Sequence, residues 1–72
     1  MKVRYYKDTD SLYIDLSEST SENSREVSEG IVLDYDAKGN LVGIDIDNAS
    51  SKVALERLSV CNLPGKVDTD AA

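Results

Sequence analysis

With 72 residues, eight basic side chains against fourteen acidic ones and a net charge of −6, the chain lacks the basic surface that a phosphate backbone requires, which sets direct nucleic-acid binding aside. One cysteine and no histidine exclude an internal disulfide and leave too few ligands for a structural zinc site. A single domain of this size buries only roughly 60% of the surface its unfolded chain exposes, so oligomerisation is the staple that remains.

Residues 3–7 and 12–16 flank Asp8-Thr9-Asp10-Ser11, whose short polar side chains bond their own backbone and favour a turn. This predicts a first β-hairpin. Pairing Asp8 with Ser11 sets Val3 opposite Leu16 and Tyr5 opposite Ile14, with Leu12 on the same face. The other face receives Tyr6 opposite Tyr13 and Arg4 opposite Asp15, an exposed aromatic pair beside an ion pair.

Residues 17–24 carry no apolar side chain and read as a loop. Residues 25–29 alternate weakly around Val27 and suit a short edge strand. Residues 30–46 predict a second hairpin, because Asp36-Ala37-Lys38-Gly39-Asn40 fits a type I turn closed by a left-handed residue, with Asp36, Gly39 and Asn40 as its structural members.

That turn sets Tyr35 opposite Leu41, Asp34 opposite Val42, Leu33 opposite Gly43 and Val32 opposite Ile44. One face then carries Ile31, Leu33, Tyr35 and Leu41, the other Val32, Val42, Ile44 and Ile46, so both faces of the ribbon are apolar. A twofold homodimer burying Ile31, Leu33, Tyr35 and Leu41 is the expected remedy, with Gly43 admitting a close neighbour.

From Asn48 or Ser50 the period changes, and Ala54, Leu55, Leu58 and Cys61 share one stripe, which predicts a helix over 51–60. Pro64-Gly65 ends the regular structure and residues 64–72 form a polar tail. The expected fold class is α+β: a small, mostly antiparallel sheet of two hairpins with one C-terminal helix packed on one face, residues 1–63 making one domain, and the whole dimeric.

The run Tyr5-Tyr6-Lys7-Asp8-Thr9-Asp10-Ser11-Leu12-Tyr13-Ile14, the run Ser28-Glu29-Gly30-Ile31-Val32-Leu33-Asp34-Tyr35-Asp36 and the run Gly39-Asn40-Leu41-Val42-Gly43-Ile44-Asp45-Ile46 together resemble a family of short prokaryotic proteins catalogued as domain of unknown function 2283. Tyr6 departs from the pattern, in which an acidic residue commonly follows the first tyrosine. The resemblance implies a small sheet-plus-helix protein with no assigned activity and no catalytic residue to carry over. Gene context in similar family members implies the small partner of a toxin and antitoxin pair.

Residues 34–45 imitate a calcium loop, with Asp34, Asp36, Gly39 and Asp45 at the first, third, sixth and twelfth positions. Lys38 stands where an oxygen ligand is needed, and alternating strands replace the flanking helices, so the plain turn is the better reading. Asp8, Asp10, Asp34 and Asp36 are the residues through which an alternative divalent-metal or minor enzymatic role would act. Asp8, Asp10, Asp15, Glu18 and Glu22 read as a solvated acidic stretch that steers a basic protein partner.

Tyr5 and Tyr35 read as core or dimer anchors. Cys61 reads as a small buried hydrophobe without a base to activate it, and the serines sit in turn, loop and cap settings. No catalytic, cofactor-binding or metal residue is assigned. No apolar run exceeds three residues, against the ~20 of a membrane span, and no secretory core follows Met1-Lys2. A free thiol without an export signal points to the cytoplasm. The function expected is that of an acidic, non-catalytic interaction subunit.

Overall fold

In the computed structural model, which describes residues 1–71, one six-stranded sheet accounts for the regular structure apart from a single 3₁₀ turn. The strands are β1 (Lys2–Tyr6), β2 (Ser11–Asp15), β3 (Asn23–Ser28), β4 (Ile31–Tyr35), β5 (Leu41–Ile46) and β6 (Asp68–Ala71), arranged β3-β4-β5-β2-β1-β6. Neighbours pair antiparallel except β6, which runs parallel to β1. The two hairpins form as expected, and β2 joins them by pairing with β5.

The expected α+β class is corrected here, because the C-terminal helix is absent. After the 3₁₀ turn at Ala49–Ser51 the chain runs irregularly until β6. Two causes combine. A ten-residue segment is too short to hold a helix by itself, and Ser59-Val60-Cys61-Asn62 are weak helix formers. The segment must also cross three inter-strand gaps of ~4.8 Å and return along the strand direction, and extended chain covers about twice the distance per residue that helix does. Sheet pairing also resumes at Asp68 within the expected tail, of which residue 72 lies outside the described residues.

The first hairpin keeps its predicted faces but shifts its register by two. Tyr6 pairs with Ser11, Tyr5 with Leu12, Arg4 with Tyr13 and Val3 with Ile14. Lys7 joins the turn and Ser11 leaves it, because Asp10 takes a left-handed conformation, φ 53°, that closes the loop one residue earlier. A two-residue shift preserves alternation, so Val3, Tyr5, Leu12 and Ile14 remain on one side. In this register Tyr6 faces Ser11 and Arg4 faces Tyr13, in place of the expected Tyr6–Tyr13 and Arg4–Asp15 alignment.

The second hairpin keeps its turn and changes its register. Gly39 adopts φ 85° and donates its N–H to the Asp36 carbonyl, while Asp36 and Asn40 close the loop. Tyr35 pairs with Leu41 as predicted, but Asp34 then pairs with Gly43, leaving Val42 as the extra residue of a β-bulge. From there a one-residue slip turns β5 over. Ile44 lies opposite Leu33 and Ile46 opposite Ile31, so the expected two-sided apolar ribbon is corrected to a one-sided one.

The strand pairs align into rows across the sheet. One face holds Val3, Ile14, Ile44, Leu33 and Arg25 in one row, and Tyr5, Leu12, Ile46, Ile31 and Ser28 in the next. The opposite face holds Lys2, Asp15, Gly43, Asp34 and Ser24, then Arg4, Tyr13, Asp45, Val32 and Glu26. Among the described residues only Val42, Ile46 and Ala49 are buried apolar positions, and none of the large side chains is fully enclosed.

Candidate functional site

Alternation along five antiparallel strands sorts the charge: the strand carboxylates Asp15, Asp34, Asp45 and Glu26 all fall on one face, and the apolar side chains crowd the other. Each face offers a different surface for recognition.

On the acidic face Tyr13 leans from β2 across β5 to reach β4. Its hydroxyl donates to Asp34 Oδ2 at 2.8 Å, and Ser24 Oγ donates to Asp34 Oδ1 at 2.7 Å. Gly43 makes the crossing possible, since a Cβ there would run into the Tyr13 hydroxyl and come within 2.6 Å of its Cζ. The close neighbour that Gly43 admits is therefore Tyr13 of the same chain, and Gly43 faces away from Leu33. Burial and the Asp34 carboxylate push the Tyr13 phenol up to about 12. Asp45 is raised as well, first by desolvation and then by the negative charges of Asp47 and Asp34.

A second hydrogen-bonded group ties the hairpins together at one end of the sheet. Asp10 Oδ1 accepts from the Tyr5 hydroxyl at 2.7 Å and from the Ser50 N–H at 3.0 Å, and its Oδ2 accepts from Ser50 Oγ at 2.6 Å. The Asp10 carbonyl accepts from the Ala49 N–H. Ser50 and Tyr5 as donors hold the Asp10 carboxyl below its ordinary range, and the same bond raises the Tyr5 phenol. At the other end Asp36 accepts from the N–H groups of Lys38 and Asn40, each at 2.9 Å, which lowers its carboxyl too.

Asp10, Asp34 and Asp36 are thus occupied by donors of their own fold, in three separate places. Among the described residues no three histidine, cysteine or carboxylate side chains converge on a metal-sized centre. The serines of the expected loop and cap divide: Ser24 serves Asp34, and Ser50 serves Asp10. Cys61, expected to be buried, is an exposed free thiol.

The apolar face is covered over only part of its width. Residues 53–58 pass over β1, β2 and β5 and leave a cavity of about 440 Å³, walled by Tyr5, Leu12, Ile14 and Ile46 below and by Leu55 and Leu58 above. Toward the β3 edge, Ile31, Leu33 and Tyr35 stay partly accessible and Leu41 is exposed. The residues expected to form a seam therefore lie at the open end of one continuous apolar surface, apart from Gly43.

Residues 2–50, more than half of the chain, match the family model described as protein of unknown function DUF2283. The chain belongs to the DUF2283 family. The matched part contains β1 to β5 and the start of the 3₁₀ turn, so the DUF2283 region builds both faces of the sheet, while residues 53–58 and β6 follow it. No curated protein and no solved structure matches the chain. No helix among the described residues is long and apolar enough to cross a membrane.

The sequence pointed to Gly43 as a place of close approach without saying what approaches. The signals for the Tyr13–Asp34 contact were a glycine inside a strand and a tyrosine on the neighbouring strand in the row beside it.

Proposed function

We propose that this DUF2283 protein is a non-catalytic binding subunit of the cytoplasm, and that its acidic sheet face receives a small basic protein, as an antitoxin receives its toxin. The observation that carries this reading is the sorting of Asp15, Asp34, Asp45 and Glu26 onto one face. Desolvation first, and then the negative charges of Asp47 and Asp34, raise Asp45, and a cationic side chain placed among these carboxylates relieves the repulsive part. Tyr13 and Asp10, whose proton affinities are altered, are committed to holding strands and turns, which leaves the face to act through its field and shape rather than through a reacting group.

The test is affinity purification of the tagged chain from its own cells at low and at high salt, with copurifying proteins identified by mass spectrometry. The expected result is a stoichiometric basic protein at low salt that is progressively lost as salt rises, and lost also from an Asp45→Lys bait. Recovery of the bait without a basic protein at both salt concentrations overturns the reading.

A further inference from the structure

We infer that a second copy of this chain covers the apolar face, with the strap formed by residues 53–63 of each copy packed on the β4 end of the other about a twofold axis. The accessible surface of the chain is 5393 Å². A folded monomer of 7.9 kDa exposes about 4,400 Å². The surplus, on the order of 1,000 Å², is the size of one partner's share of a stable protein interface, roughly 800 Å².

Two surfaces of matching apolar character contribute to that surplus. The first is the open end of the sheet face, where Leu33, Ile44 and Tyr35 are half-buried and Leu41 is 38% exposed. The second is the strap, whose Leu58 is 55% exposed, with Val60 at 44% and Leu63 at 38%. Residues 53–58 lie over β1, β2 and β5, away from the β4 end of their own sheet, and a copy turned by a twofold axis brings Val60, Leu63 and the part of Leu58 left exposed above the cavity to that end.

Charge agrees with this choice of occupant. A net charge of −6 on each copy opposes self-association in general. The antiparallel strands place no carboxylate on the apolar face, however, and put Arg25 at its rim in the row of Leu33. Two copies can therefore meet face to face with their acidic sides turned outward. This pairing uses the side opposite the proposed acidic docking surface, so either proposal can fail without the other.

The decisive experiment is sedimentation equilibrium up to roughly millimolar protein, run on the wild type and on Leu58→Asp and Leu41→Lys variants, with circular dichroism to verify the sheet. The wild type is expected at twice the 7.9 kDa chain mass. Each variant that keeps its sheet spectrum is expected to self-associate at least about 100-fold more weakly, as a charge placed at the centre of an apolar seam does. Isotope-filtered NMR on a mixture of labelled and unlabelled wild-type chains is expected to show contacts from Leu58 and Val60 methyls of one copy to Leu33 and Tyr35 of the other. A wild type at single-chain mass throughout overturns the inference. So does a dimer in which those intermolecular contacts are absent, or one that folded variants leave unweakened.

Discussion

Gly43 and Tyr13 are a matched pair: the missing side chain of one is the seat of the other. Substituting Gly43→Ala forces the ring off β5 and separates its hydroxyl from Asp34, and overpacking of this kind costs about 1–3 kcal/mol. In a Tyr13→Ser background most of that cost should vanish, and urea unfolding of the two single variants and the double variant measures the coupling. Proton affinity gives an independent handle on the same contact. The Tyr13 phenol ionises at about 12 in the folded chain, above the ordinary ~10 of the unfolded one, so the native state holds the extra proton between those values. Stability from this group is complete below pH ~10 and drains away as pH rises toward 12. Tyr13→Phe is expected to show a shallower loss than wild type in that window, read as urea midpoint against pH.

Asp45 follows the same sign as Tyr13, but at acidic pH. Its raised proton affinity means that its charge works against folding once it ionises, so Asp45→Asn should raise the urea midpoint at neutral pH and leave it unchanged near pH 3, where both side chains are neutral. The same substitution should weaken capture of the basic protein proposed above.

At the scale of the element, the turn at residues 36–40 was legible to the residue, because Gly39 at φ 85° and Asp36 with its acceptor geometry leave one loop conformation. Gly39→Ala has open space around it and is penalised by backbone conformation alone, about 1–2 kcal/mol by thermal or urea unfolding. What followed the turn was not legible. Alternating Leu41, Val42, Gly43, Ile44, Asp45 and Ile46 is consistent with either parity, and the choice depends on β2, which offers Ile14 to Ile44 and Leu12 to Ile46 only if Val42 bulges. Hairpin chemistry is local, whereas the bulge is settled by a strand some thirty residues earlier. The missing helix has the same origin. Its apolar spacing was real, and Leu55 and Leu58 do line the apolar cavity, but the span demanded by β6 selects an extended path. Likewise the acidic residues were legible as charge, while their gathering on one face required the corrected register.

For the whole molecule, two faces of opposite character predict two associations with opposite responses to salt. Screening weakens the attraction between Asp-rich sheet and basic protein, and it relieves the repulsion between two copies that each carry −6. Raising ionic strength should therefore lower affinity for the basic partner and tighten the homodimer, and titrations at two salt concentrations distinguish the processes by sign alone.

The pairing of β2 with β5 also governs how the chain reaches its native state. Each hairpin closes over a loop of a few residues, an event of microseconds, but the two can zip together only after residues 16–40 are brought round, with Leu16 N–H reaching the Val42 carbonyl at 2.8 Å. Loop closure of that length comes before any reward from the joined core, so the encounter of the two ribbons is expected to set the folding rate. During that interval each half presents an unsatisfied strand margin to its surroundings. The net charge of −6 opposes pairing of such margins between neighbouring molecules, so aggregation on refolding is expected to rise as salt is added, read by light scattering.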